Sequence, residues 1–179
     1  MRITISGPPG SGKTTACKAL SERLGYEAVV FGRIFRSMAA ERNLSLVEFG
    51  ALAESDPSID QLIDSTIVET ARGREDIILE SRLSAYMMVR NSIPAFKIYL
   101  HASPEVRVSR IGVREGESVE AAQEATKLRE ASEAKRYKMY YGIDIGDLSV
   151  YDLVVDTDHL DPDQVIQTIM KGLEGYGCS

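Results

Sequence analysis

The run Gly7-Pro8-Pro9-Gly10-Ser11-Gly12-Lys13-Thr14 constrains this chain more than any other stretch. It fits G-x-x-x-x-G-K-[ST], a pattern that carries meaning only between a strand and a helix. Both flanks are legible. Arg2-Ile3-Thr4-Ile5-Ser6 is a short β-branched run, and Thr15 to Leu24 sets Ala16, Ala19, Leu20 and Leu24 on one helical face. A strand feeding a glycine-rich turn and then a helix points several backbone N–H groups at one spot. The helix N-terminus adds its partial positive charge there. Gly7, Gly10 and Gly12 are expected to let the backbone curl around phosphate oxygens, with Pro8, Pro9, Ser11 and Thr15 completing the cradle. Lys13 is then placed to reach the β- and γ-phosphates, and the Thr14 hydroxyl to ligate Mg²⁺. The expectation is a chain that binds a nucleoside triphosphate.

Further β-rich runs follow at Ala28–Phe31, Ile77–Glu80, Phe96–Leu100 and Leu153–Asp156, with helical stretches between them. Strands alternating with helices predict an α/β fold, a five-stranded parallel sheet covered on both faces. Several helix starts can be read directly. Ser45 with Glu48 is a capping box, and Asp161-Pro162 with Gln164 is another. Ser103-Pro104 and Asp56-Pro57 open two more helices. Two regions break the alternation: a largely helical insertion at about residues 32–75, and a polar break at Glu115-Gly116-Glu117-Ser118 between two charged helices. A second-substrate clamp and a water-excluding lid (about 115–128) would occupy such places in a two-substrate phosphotransferase. The 179 residues are most simply one domain.

The net charge of −6 argues against a general nucleic-acid binder, and no apolar run is long enough to span a membrane. The chain opens on a strand, so no cleaved signal peptide is expected, and the cytoplasm is the expected compartment. Cys17 and Cys178 lack metal-ligand spacing; Cys17 is expected in the core. Yet 14 arginines stand against 7 lysines. The arginine fork suits phosphate oxygens, so some of these arginines are candidates for a cleft.

Moving a phosphoryl group onto a second phosphate crowds anions together. Two unit charges ~4 Å apart repel by roughly 4 kcal/mol at an effective dielectric of about 20. Such a transfer requires several converging cations and little covalent participation. Arg110 and Arg114 share a helical face on one side of the polar break, and Arg129 and Arg136 share a face on the other. The alternatives are an exposed stripe that includes Arg107, and salt bridging of 129 and 136 to Glu133. Arg36, one turn beyond Phe31-Gly32, and Arg82, after the third strand, fall near strand carboxyl ends, where ligands gather in a doubly wound sheet. Glu80 ends that strand and is placed to hold a Mg²⁺-bound water or a substrate group, unless it pairs with Arg82.

These segments resemble the nucleoside monophosphate kinases: the phosphate loop, Phe31-Gly32-Arg33-Ile34-Phe35-Arg36, Glu80-Ser81-Arg82-Leu83 and Arg110-Ile111-Gly112-Val113-Arg114-Glu115. Ser45-Leu46-Val47-Glu48-Phe49-Gly50, Lys135-Arg136-Tyr137 with Tyr141-Gly142-Ile143-Asp144, and Tyr151-Asp152-Leu153-Val154 resemble more narrowly the archaeal type of cytidylate kinase. One departure is Ser81, where that family more often has glycine. The resemblance covers essentially the whole chain. It implies the three-layer P-loop NTPase fold with a helical NMP-binding insertion and a short lid. It also implies ATP- and Mg²⁺-dependent phosphorylation of CMP and dCMP by a monomer. By the same resemblance, Gly32, Arg36, Glu80 and Arg82 serve the monophosphate and Arg110 and Arg114 clamp ATP. Arg129 and Arg136 bridge both substrates, and Lys13 follows the migrating phosphoryl.

Cytosine offers an N4 donor beside N3 and O2 acceptors. Asp60 and Asp64, four apart on a helix, are candidates to accept from N4, with Arg33, Arg42 or Arg72 as donors; a solvated helix face is the alternative for both acids. Other readings are a P-loop kinase for UMP, AMP or a hydroxyl acceptor such as shikimate, and a nucleotide-binding switch. The switch would carry Asn-Lys-x-Asp, which does not occur.

Overall fold

The computed structural model describes residues 1–116 and 118–177; Glu117 of the polar break and Cys178 lie outside the described residues. The elements run β1 (Arg2–Ser6), α1 (Lys13–Leu24), β2 (Glu27–Val30), α2 (Gly32–Glu41), α3 (Leu46–Ala53), α4 (Pro57–Gly73), β3 (Ile77–Glu80), α5 (Ser84–Arg90), β4 (Phe96–His101), α6 (Pro104–Glu115), α7 (Val119–Tyr141), β5 (Leu153–Asp156) and α8 (Pro162–Gly177). The strands form one parallel sheet in the order β2-β3-β1-β4-β5.

Alternation along β1 decides how that sheet is covered. Ile3 and Ile5 point to one face, where they pack with Ala16, Cys17 and Leu20 of α1 and Val165, Ile166 and Ile169 of α8. Cys17 is fully buried there, as expected of a core thiol. Ser6 points the other way, its hydroxyl 3.2 Å from that of Ser84 on α5. Ile77 and Leu79 of β3 join that second face, packed with Ile63 and Ile67 of α4, Met87 and Met88 of α5, and Tyr137 of α7. Two helical layers therefore sandwich the sheet, and β1, the central strand, is the point at which the chain switches direction across it.

The insertion between β2 and β3 is helical and has a small core of its own, in which Phe49, Ala39, Ala53 and Ile59 pack with Phe35. Its helices begin where the sequence indicates. Ser45 and Glu48 exchange both capping-box hydrogen bonds, and Asp56 accepts from the Ser58 amide ahead of Pro57. Asp161 and Gln164 likewise bond reciprocally at the start of α8. Ser103 opens α6 without a side-chain cap; its amide donates instead to Asp158 at 2.7 Å. Strand β2 ends one residue before the expected Phe31, whose backbone is already helical (φ −68°, ψ −25°) and leads into α2. Most of the expected lid, residues 119–128, is the first part of α7, capped by Ser118. Among the described residues no helix is long and apolar enough to cross a membrane.

Candidate active site

The phosphate loop leaves β1 and closes on itself. Lys13 Nζ donates to the Pro8 carbonyl at 2.8 Å, and burial draws the ammonium's pKa down to about 8 against the opposing pull of Glu80. Three further loop carbonyls have a side-chain donor as well. Pro9 O accepts from Arg107 at 3.2 Å, Gly10 O from Arg110 at 3.4 Å and Ser11 O from Thr157 at 3.4 Å. With these carbonyls held, the loop's N–H groups stand at the start of α1, the arrangement of an anion nest at a helix N-terminus.

The three loop glycines have different causes. Gly12 has φ +88°, and a Cβ added there would meet no atom within 4 Å, so a side chain would project into open space where an anion can approach. A Cβ on Gly10 (φ +82°) would lie 2.6 Å from the Arg107 carbonyl oxygen, and one on Gly7 would meet the Leu100 oxygen. At two of these positions packing adds a second reason for glycine. Backbone from β4 and α6 presses against the loop there and leaves no room for a Cβ on Gly7 or Gly10.

Beside the loop opens a cleft of about 410 Å³. Lys13, Arg36, Arg82, Arg110, Arg114, Arg129 and Arg136 all line it, from α1, α2, α6, α7 and the turn after β3. Thr14, Thr15, Gly32, Asp60, Asp64 and Glu80 line it too, with Pro9, Gly10 and Gly12. Gly7, Pro8 and Ser11 do not; Ser11 borders a smaller cleft of about 100 Å³ walled by Leu100, Leu160, Pro162 and Val165. Arg33, Arg42 and Arg72 are absent from the cleft. Arg42 lies over the Phe49 ring and Arg72 reaches Asn91, so the structure does not bring these expected base donors together with Asp60 and Asp64.

Within the cleft the expected rival pairings do not form. Glu80 accepts from the Thr14 hydroxyl at 2.9 Å instead of pairing with Arg82. Glu133 binds Arg82 Nε at 2.6 Å instead of bridging Arg129 and Arg136. Ser81, the departure from glycine, uses its hydroxyl to accept from the Leu83 amide at 3.0 Å and so fixes the turn that carries Arg82. Arg129 has no carboxylate within ion-pairing distance among the described residues. Burial lowers the Arg36 pKa, and Arg114 and Arg129 push it further the same way.

Asp60 and Asp64 are 4% and 8% exposed, not a solvated face. Burial pushes their carboxyls up to about 6 and about 7. Arg136, 2% exposed, donates to Asp60 at 3.2 Å while its guanidinium lies 5.2 Å from the Phe35 ring centroid and 5.6 Å from that of Tyr137. Arg136 Nε, Asp60 Oδ2 and Asp64 Oδ2 are buried without a hydrogen-bond partner among the described residues.

A family model described as "Cytidylate kinase-like family" matches residues 2–159. The chain belongs to the cytidylate kinase-like family. It is 50% identical over 161 residues to a protein from Methanothrix thermoacetophila named cytidylate kinase, covering 90% of this chain and 91% of that one. A Halobacterium salinarum protein of the same name is 46% identical over 98% of this chain and 91% of its own. Among solved structures, a shikimate kinase from Aquifex aeolicus superimposes with a TM-score of 0.62 at 16% identity, over 99% of this chain and 98% of that one, a likeness of fold.

In this cytidylate kinase-like chain, sequence reasoning missed one buried arginine. Arg107, which entered the sequence reading only through the alternative of an exposed stripe, is 7% exposed and donates to Ala102 O at 3.1 Å as well as to Pro9 O. The one available signal is its i, i+3, i+7 spacing with Arg110 and Arg114, which puts all three near one face.

Proposed function

We propose that this chain transfers the γ-phosphoryl of ATP to the phosphate of CMP, and of dCMP, giving the diphosphate. The observation that carries the reading is the convergence of seven cationic side chains on one cleft beside the phosphate loop. A hydroxyl acceptor would leave several of them without a phosphate to meet.

In this reading the loop amides and Lys13 hold the donor's β- and γ-phosphates. Arg110 and Arg114 reach them from α6. Arg36 and Arg82 take the acceptor phosphate. Arg129, free of carboxylate partners among the described residues, bridges the two, and Arg136 adds charge from deeper in the cleft. Each cation stabilises negative charge as it shifts between oxygens, which is where most of the rate comes from in phosphoryl transfer. The smaller cleft beside Thr15 suits the donor's base.

Mg²⁺ fits the residues present: the Thr14 hydroxyl and Glu80 carboxylate are adjacent hard oxygens, and this ion takes few protein ligands alongside phosphates and water. Bound there, it supplies charge neutralisation between the β- and γ-phosphates. Asp60 and Asp64 accept from the cytosine N4 amino group, and Arg136 takes the donor's place that Arg33, Arg42 and Arg72 do not reach. Uracil presents an N3–H and an O4 acceptor instead, leaving these buried groups mismatched. The proposal includes a monomer acting on free nucleotides in the cytoplasm.

A coupled assay over AMP, GMP, UMP, CMP and dCMP tests the reading. Highest kcat/KM on CMP or dCMP supports it. Preference for a purine nucleotide refutes the base assignment, and ATP turnover indifferent to every monophosphate refutes the kinase reading.

A further inference from the structure

Helix α7 carries Arg129 and Arg136 on the cleft, and two acids lie between them: Glu130 and Glu133. Each acid leaves the helix in search of an arginine on another element. Glu133 binds Arg82 on the acceptor side, with side chains only 12% and 17% exposed. Glu130 binds Arg107 on the donor side, where the arginine is buried.

The geometry of each pair points beyond simple attachment. Glu133 engages Arg82 through Nε, which leaves the two terminal nitrogens of the fork for an incoming phosphate and fixes their direction. Glu130 engages the other end of Arg107, whose remaining donors hold the Ala102 carbonyl and the phosphate-loop carbonyl of Pro9. The loop rests on this arginine's backbone as well, since Gly10 has no room for a Cβ against the Arg107 oxygen at 2.6 Å. Anything that moves Arg107 moves the loop.

We infer that Glu130 and Glu133 are positioning residues with separate duties. Glu130 sets the donor site through Arg107 and the phosphate loop, and Glu133 sets the acceptor site through Arg82. One helix thereby seats both nucleotide sites together with Arg129, which spans them, and Arg136 deeper in the cleft. The inference rests on the two-nucleotide reading above.

The test uses the full chain with Glu130→Gln and Glu133→Gln, each nearly isosteric, and measures KM for ATP and for CMP with the other substrate saturating. CMP phosphorylation by the unaltered chain decides the two-nucleotide reading; the variants decide this inference. A hydrogen bond to a charged group supports an expectation of about a tenfold rise in KM for CMP with E133Q. KM for ATP stays within about twofold in that variant, and E130Q gives the reverse pattern. Equal changes in both KM values, a change on the opposite substrate, or no change overturns the assignment, because a merely structural tie cannot sort donor from acceptor. Thermal unfolding is followed in parallel. If a glutamine variant does not fold, E130D or E133D, which shorten the reach by one methylene, is read by the same criteria.

Discussion

Asp64 lies at the inner end of the cleft, facing Tyr141, Asp60 and Arg136, and burial pushes its carboxyl up to about 7; that of Asp60 rises to about 6. In the unfolded chain both titrate near ~3.9. Across the interval between, the folded protein keeps protons that the unfolded chain has released. Stability contributed by these groups is therefore greatest at the acid end and falls as pH rises towards 7. Three pH units at about 1.4 kcal/mol each set an upper figure of about 4 kcal/mol for Asp64. Asp60 shares the same arginine and repels Asp64, so the two contributions do not simply add. Other shifted groups act outside this window: Arg82 and its neighbours hold the already low Glu133 carboxyl down despite burial, and Lys13, drawn to about 8, enters only at the upper edge. The assay is urea unfolding at steps from about pH 5 to about pH 8, for the unaltered chain and for Asp64→Asn. The midpoint of the unaltered chain is expected to fall over that range with m unchanged. The asparagine variant is expected to lose most of the slope and to be the more stable of the two at the alkaline end. A flat or rising profile in the unaltered chain, or a slope that survives in both Asp64→Asn and Asp60→Asn, refutes the burial argument.

Lys13→Ala is expected to lower kcat roughly a hundred- to thousandfold while leaving the unfolding midpoint nearly unchanged, because its charge acts on the migrating phosphoryl; near-normal turnover would show the loop misread. Arg82→Ala should raise KM for CMP far more than KM for ATP, and should cost part of the ~3–5 kcal/mol typical of breaking a buried pair, since Glu133 is left behind. Steady-state kinetics with denaturant unfolding checks both parts. Gly10→Ala should destabilise more than Gly12→Ala: both force a side chain into the left-handed region at about 1–2 kcal/mol, but only the first meets backbone. Equal losses in a thermal melt would count against the packing role given to Gly10.

The parts that were legible in the sequence are those written locally. The phosphate loop, the alternating Ile3-Thr4-Ile5-Ser6 strand and the reciprocal caps at Ser45 and Asp161 each depend on residues within a turn or two of one another. The helical placement of Arg36, Arg110, Arg114 and Arg129 was equally local, and the cleft gathers them all. What escaped is set by distant partners. Glu133 finds Arg82 51 positions away, and Arg107 finds Pro9 98 positions away, so helical spacing gave no hint of either. For Asp60 and Asp64 the sequence left a solvated helix face open beside the base-binding role, because their burial comes with Arg136 and Tyr141, on a helix more than 70 positions further along the chain. The shift of β2 by one residue has a smaller cause: Phe31 is apolar and β-prone, but its backbone turns into α2.

Helix α7 has few apolar residues with which to dock. Of its buried positions, Ala122 and Tyr137 are joined by Thr126, Ser132 and Arg136, and its firmest ties are ionic, to Arg82 and Arg107. A helix seated on oil can leave its berth only by wetting that oil, whereas one seated on charges can exchange one counter-ion for another. When nucleotide phosphates enter among these arginines, they offer α7 a new set of attractions of the same kind as the old. An exchange of this kind would leave Ala122 and Tyr137, the two buried apolar side chains of α7, as the contacts that keep the helix in its berth.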